Sequence, residues 1–77
     1  MKIQVDHIAL LHCDNLAEDK SIDLVEPATV TDLLTALGIS EEHQKAVVPF
    51  INSERAKRNH TLKDGDEVFL SLAVGGG

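Results

Sequence analysis

Residues 29–38 read Thr-Val-Thr-Asp-Leu-Leu-Thr-Ala-Leu-Gly, and this stretch constrains the fold more than any other. Val30, Leu33, Leu34 and Leu37 recur at i, i+3, i+4 and i+7, which lays one apolar stripe along a helix. Thr29 suits the N-cap, and Asp32 stands three residues on as its capping-box partner, where an acid also favours the positive end of the helix. Gly38 fits the left-handed position that ends a helix. A single amphipathic helix must bury its stripe against something, and the rest of the chain offers strands.

In residues 2–9, Ile3 and Val5 alternate with Lys2, Gln4 and Asp6, the pattern of a half-buried strand. At Ile8–Leu11 the alternation breaks, and the strand is expected to continue with both faces covered or to bulge. A polar connection follows, with a short helical turn around Leu16. Residues 21–25 alternate again until Glu26 and Pro27 end them. Residues 40–44 predict a polar turn or a second short helix capped by Ser40. Residues 46–52 form a strand in which Pro49 cannot donate to a ladder, so that strand has a free side or a bulge there. Residues 53–62 are a polar hairpin or loop. Asp64-Gly65 signals a tight turn. The last strand, 67–74, places Val68, Leu70, Leu72 and Val74 on one face. One helix packed on one face of a mixed sheet of four or five strands is an α+β arrangement of the β-grasp (ubiquitin-like) type, with a flexible glycine tail. The expected division is a β-grasp domain over 1–74 and a tail over 75–77.

Composition narrows the function. The chain has 77 residues, 43% of them hydrophobic, and its one cysteine, Cys13, rules out an internal disulfide. No apolar run approaches the ~20 residues of a membrane span, and no secretory leader pattern opens the sequence, so the cytoplasm is expected. A net charge of −6 repels phosphate backbones, which argues against nucleic acid as a partner. Arg55, Lys57 and Arg58 lack interleaved aromatic residues and read as a solvated loop. His7, His12, Cys13, His43 and His60 are scattered without metal-ligand spacing. Cys13 lies in a polar connection of a chain too short to enclose a substrate pocket, and no glycine-rich phosphate loop precedes a helix. These residues carry no enzyme chemistry and bind no cofactor.

The sequence ends Ser-Leu-Ala-Val-Gly-Gly-Gly. Three glycines have no side chains and tolerate nearly any backbone angle, so they can thread a channel that excludes a Cβ. Extended, residues 73–77 span about 16 Å, and the terminal carboxylate has no bulk around it. The chain here resembles the ThiS/MoaD family of sulfur-carrier proteins. The resemblance rests on the helix segment beginning at Pro27, on Ile51-Asn52 before a hairpin, and on a Leu-x-Asp-Gly-Asp-x-Val turn at 62–68 leading to Val74 and the glycines. It implies that Gly77 is adenylated with ATP by a partner of the ubiquitin-activating type. A persulfide sulfur then converts it to a thiocarboxylate, which serves a sulfur-accepting biosynthetic enzyme, with Gly75 and Gly76 entering the partner's active site. Molybdopterin-branch members often carry Pro-Pro where this chain has Leu72-Ala73, and the family's hairpin glycine is Ser53, so neither the molybdopterin nor the thiamine branch is assigned.

Partner contact is expected on the outer sheet face. If Val68, Leu70, Val47 and Ile51 face the helix, Val48, Phe50 and Phe69 face away from it and are expected to bind the partner, together with Leu72 and Val74 at the root of the tail. The competing readings are a ubiquitin-like modifier conjugated through Gly77, which shares the activation chemistry, and a non-covalent interaction domain with an inert tail.

Overall fold

The computed structural model describes residues 1–73; Val74, Gly75, Gly76 and Gly77 lie outside the described residues. Among the described residues, five strands and two helices follow in the order β1 (Lys2–His7), β2 (Ser21–Asp23), α1 (Val30–Ala36), α2 (Glu41–Gln44), β3 (Val47–Ile51), β4 (Glu54–Arg55) and β5 (Glu67–Leu72). The strands form one sheet in the order β2-β1-β5-β3-β4. Among the described residues only β1 and β5 pair in parallel, so the sheet is mixed, and these two strands lie side by side within it.

Helix α1 follows from its sequence. The Thr29 side chain accepts from the Asp32 N–H, and the Asp32 carboxylate accepts from the Thr29 N–H at 2.8 Å, a closed capping box. Gly38 stops the helix with φ at 78°. Seven helical residues are too few to persist alone in water, so tertiary packing holds them. Val30, Leu33, Leu34 and Leu37 are all fully buried, each contributing roughly 2 kcal/mol by leaving water. They pack on the inner sheet face formed by Ile3, Val5, Val47, Ile51, Val68 and Leu70.

Several local expectations change. The strand opening at Lys2 ends at His7, and residues 8–11 neither continue it nor bulge: the Leu11 N–H bonds the Ile8 carbonyl at 3.1 Å, turning the chain. That turn buries Leu11 and exposes Leu10 at 82%. No helical turn forms around Leu16; its half-buried side chain packs against the core from a loop. The second strand stops at Asp23, and α2 is the short helix capped by Ser40. The segment after Asn52 holds β4, the fifth strand.

Pro49 sits where its ring does least harm. Asn52 N–H donates to Glu67 O and Ala73 N–H to Ala46 O, both at 2.8 Å, so even-numbered positions of β3 bond to β5. Pro49, an odd position, therefore turns its nitrogen toward the β4 side, where the two-residue strand has ended. Its carbonyl still accepts from Ala56 N–H at 2.9 Å.

Candidate functional site

The glycine end is reached through β5, so the site is built by whatever fixes that strand. The Lys63–Asp66 turn does this from one side. Asp66 N–H donates to the Lys63 carbonyl at 3.0 Å, and Gly65 adopts φ 85°, a conformation costly for residues with a Cβ. Lys2 N–H donates to Asp64 Oδ1 at 2.7 Å, Gly65 N–H to the Lys2 carbonyl at 2.9 Å, and Gln4 N–H to the Asp66 carbonyl at 3.0 Å. The turn is thereby stitched to the start of β1. The buried Asp66 carboxylate closes the other side: Oδ2 accepts from Lys63 N–H at 2.8 Å, and Oδ1 from the Asn52 side-chain amide at 3.1 Å. Asn52 Oδ1 in turn accepts from Glu67 N–H at 3.1 Å. The Asn52 and Asp-Gly-Asp elements of the sequence thus meet in one network that sets the register of β5 against both β1 and β3.

Asn52 and Ser53 form the two-residue loop between β3 and β4, with φ of 51° and 73°. Positive φ at both central positions defines a type I′ turn, which matches the twist of a hairpin. Ser53 occupies the position where glycine is favoured.

The outer sheet face carries the candidate contact residues. Phe50 and Phe69 stand opposite each other in register, ring centroids 6.4 Å apart and tilted by 51°. Phe69 is 40% exposed, and Val48 and Phe50 are half-buried on the same face. A shallow depression of about 360 Å³ beside the rings is bordered by Gln4, Asp6, Asn52 and Glu67. Leu72 follows the phase of Val68 and Leu70, packs against the core, and lines a separate groove with Leu10, Leu11, Ile39, His43 and Ala46. Leu72 therefore does not join the Phe50–Phe69 face. Leu10 was not singled out from sequence; the broken alternation at 8–11 was the only signal of its exposure.

The charges near this face are held ionised. The His7 backbone N–H and the nearby Lys20 keep the Asp6 carboxyl below the ordinary carboxylate range. The Ser21 hydroxyl, at 2.5 Å, and Lys2, at 3.0 Å, hold Asp19 down at about 2. Burial pushes the Cys13 thiol up, with Asp14 adding to the effect, which disfavours the thiolate a nucleophile needs. Among the described residues, no group of three or more His, Cys, Asp or Glu side chains is gathered as a metal site. No helix among them is long and apolar enough to cross a membrane.

A mixed five-stranded sheet packed on one main helix, with its first and last strands adjacent, is a β-grasp fold. The chain belongs to the ThiS family, whose family model matches residues 10–77, a span that includes the glycines. This membership supports, in general terms, a role as a sulfur carrier or ubiquitin-like modifier. Among solved structures the chain is similar to the crystal structure of SAMP1 from Haloferax volcanii, at 22% identity over 100% of both chains with a TM-score of 0.64. That likeness is one of fold. No curated protein matches the chain.

Proposed function

We propose that the chain carries sulfur on its terminal glycine. The Gly77 carboxylate attacks the α-phosphate of ATP in a partner of the ubiquitin-activating type, releasing pyrophosphate and forming an acyl adenylate. A persulfide sulfur attacks the acyl carbon and AMP leaves. A thiol then cleaves the acyl disulfide, leaving a thiocarboxylate on Gly77 that donates sulfur to a biosynthetic enzyme. The chain supplies reach through Gly75 and Gly76 and a docking face through Phe50, Phe69 and Val48. The nucleotide and the catalytic groups belong to the partner.

The observation that carries this reading is the family match running through Gly77, so that the glycines belong to the matched pattern. The test is incubation with the cognate activating enzyme, ATP and a persulfide donor. Intact mass is expected to rise by one oxygen-to-sulfur exchange. Gly76→Val is expected to leave thermal unfolding unchanged and to stop activation, because a β-branched side chain replaces a glycine where the partner's channel closes. Thiol-stable high-mass conjugates in place of the mass shift would establish the modifier reading. Retained function after deletion of Gly76–Gly77 would remove both.

A further inference from the structure

Charge is unevenly placed on this acidic molecule. Four of its seven Lys and Arg residues lie between 55 and 63, and none of its thirteen Asp and Glu do. The segment begins within β4, one edge of the sheet, whose other residue is Glu54, so that residues 54–63 hold four cations against one acid. The opposite edge, β2 and its flanks, carries Asp14, Glu18, Asp19, Asp23 and Glu26. The two edges of one small sheet therefore have opposite sign. Lys2, on β1 next to that edge, and Lys20, just before β2, are each within ion-pair distance of an aspartate, at 3.0 and 3.6 Å. Among the described residues no ion pair engages Arg55, Lys57 or Arg58, which are exposed.

The cationic segment is held rigidly. The Arg58 carbonyl accepts from Thr31 N–H at 2.9 Å and Thr31 Oγ1 at 3.0 Å, and the His60 carbonyl accepts from Val30 N–H at 3.0 Å. Its backbone thus satisfies the first donors of α1, while its side chains stand free. Cations gathered beside the positive end of a helix gain nothing from the dipole, so folding does not favour this placement. The segment also lies near the root of the tail. Arg55, Lys57 and Arg58 border one depression with Val47 and Pro49, and Val47 pairs with Leu72. Only β3 separates the cations from the strand leading to the glycines, and strands are spaced about 4.8 Å apart.

We propose that Arg55, Lys57 and Arg58 form a docking edge for an acidic surface on the enzyme that activates the tail, a reading that rests on the sulfur-carrier function above. The thirteen carboxylates and the absence of aromatic side chains within 55–63 favour a protein surface over nucleic acid. Rim charges of this kind act on encounter and orientation, so the effect belongs in KM and its salt dependence rather than in kcat.

The experiment is ATP–pyrophosphate exchange by the cognate activating enzyme with the full chain as substrate. Lys57→Gln/Arg58→Gln removes two positive charges without touching the backbone bonds to α1. It is expected to raise KM about fivefold at roughly 50 mM salt with kcat unchanged, the ratio falling below about twofold at roughly 500 mM. Lys2→Glu changes net charge by the same amount on β1, beside the opposite edge strand, and is expected to raise KM less than about twofold. An equal rise for both variants would mean that net charge alone matters and would overturn the proposal, as would an unchanged KM for Lys57→Gln/Arg58→Gln. Salt-sensitive binding of a single-stranded oligonucleotide that this double variant abolishes would assign the edge to nucleic acid instead. If the parent chain is not activated at all, the sulfur-carrier reading fails and takes the docking edge with it.

Discussion

The two aspartates of the Asp64-Gly65-Asp66 turn are predicted to differ sharply when each is changed to asparagine. Asp66 is buried and receives two N–H donors, one on each carboxylate oxygen: Lys63 N–H at 2.8 Å and the Asn52 amide at 3.1 Å. An asparagine offers one acceptor oxygen, so its own NH₂ must face one of those donors. Flipping Asn52 does not rescue the arrangement, because Asn52 Oδ1 is already accepting from Glu67 N–H. Losing a hydrogen bond to a charged acceptor and leaving a buried donor unpaired together cost about 2–3 kcal/mol. For a domain of this size that lowers Tm by roughly 10–20 °C. Asp64 is exposed and accepts a single bond, from Lys2 N–H to Oδ1, which an amide oxygen accepts equally well. Asp64→Asn should therefore cost less than about 0.5 kcal/mol. Urea denaturation with thermal melts of the two variants decides the matter. Equal destabilisation, or an Asp66→Asn within about 0.5 kcal/mol of the parent, would refute the assignment of β5 register to the Asp66–Asn52 network.

Three further outcomes follow from the geometry. Ser53→Gly relieves a side chain held at φ 73° and, after the added freedom of the unfolded glycine, should stabilise by about 0.5 kcal/mol, read as a rise of roughly 2–4 °C in Tm. Gly38→Ala places a Cβ at φ 78° and 2.6 Å from Asp14 Oδ2, and should destabilise by about 1–2 kcal/mol; adding Asp14→Ala should recover the steric part, measurable as a non-additive double-mutant cycle in urea. The Asp19 carboxyl should titrate by NMR at about 2, against an ordinary 3.8. Because the folded value is the lower one, its contribution to stability is present above about pH 4 and is lost as pH falls toward 2. Ser21→Ala and Lys2→Met should each move that pKa up, and an unmoved value in either variant would show that the partner it removes is not a cause.

Residues close in sequence settled their own conformation. The stripe of α1, its Thr29–Asp32 box, the Gly38 stop, the Asp64-Gly65 turn and the alternation that sends Phe50 and Phe69 to one face were all legible in the chain, because periodicity and caps act within a few residues. The glycine end was equally visible, since its chemistry is that of the backbone. Tertiary structure decided the rest. The parallel pairing of β1 with β5 joins residues more than sixty positions apart, and no local pattern names a strand's neighbour. β4 was not specified by its own two residues; it exists because the Asn52-Ser53 turn folds them back on β3. The apolar run at 8–11 reads as strand, yet its pairing with β5 stops at Leu70: the Ile8 N–H bonds the Leu70 carbonyl, and the Ile8 carbonyl then takes the Leu11 N–H and closes a turn. The contrast between Asp64 and Asp66 arises in the same way: two identical side chains in one turn are told apart by their partners from across the sheet, a single backbone N–H of Lys2 at an exposed position for the first and the Asn52 amide at a buried one for the second.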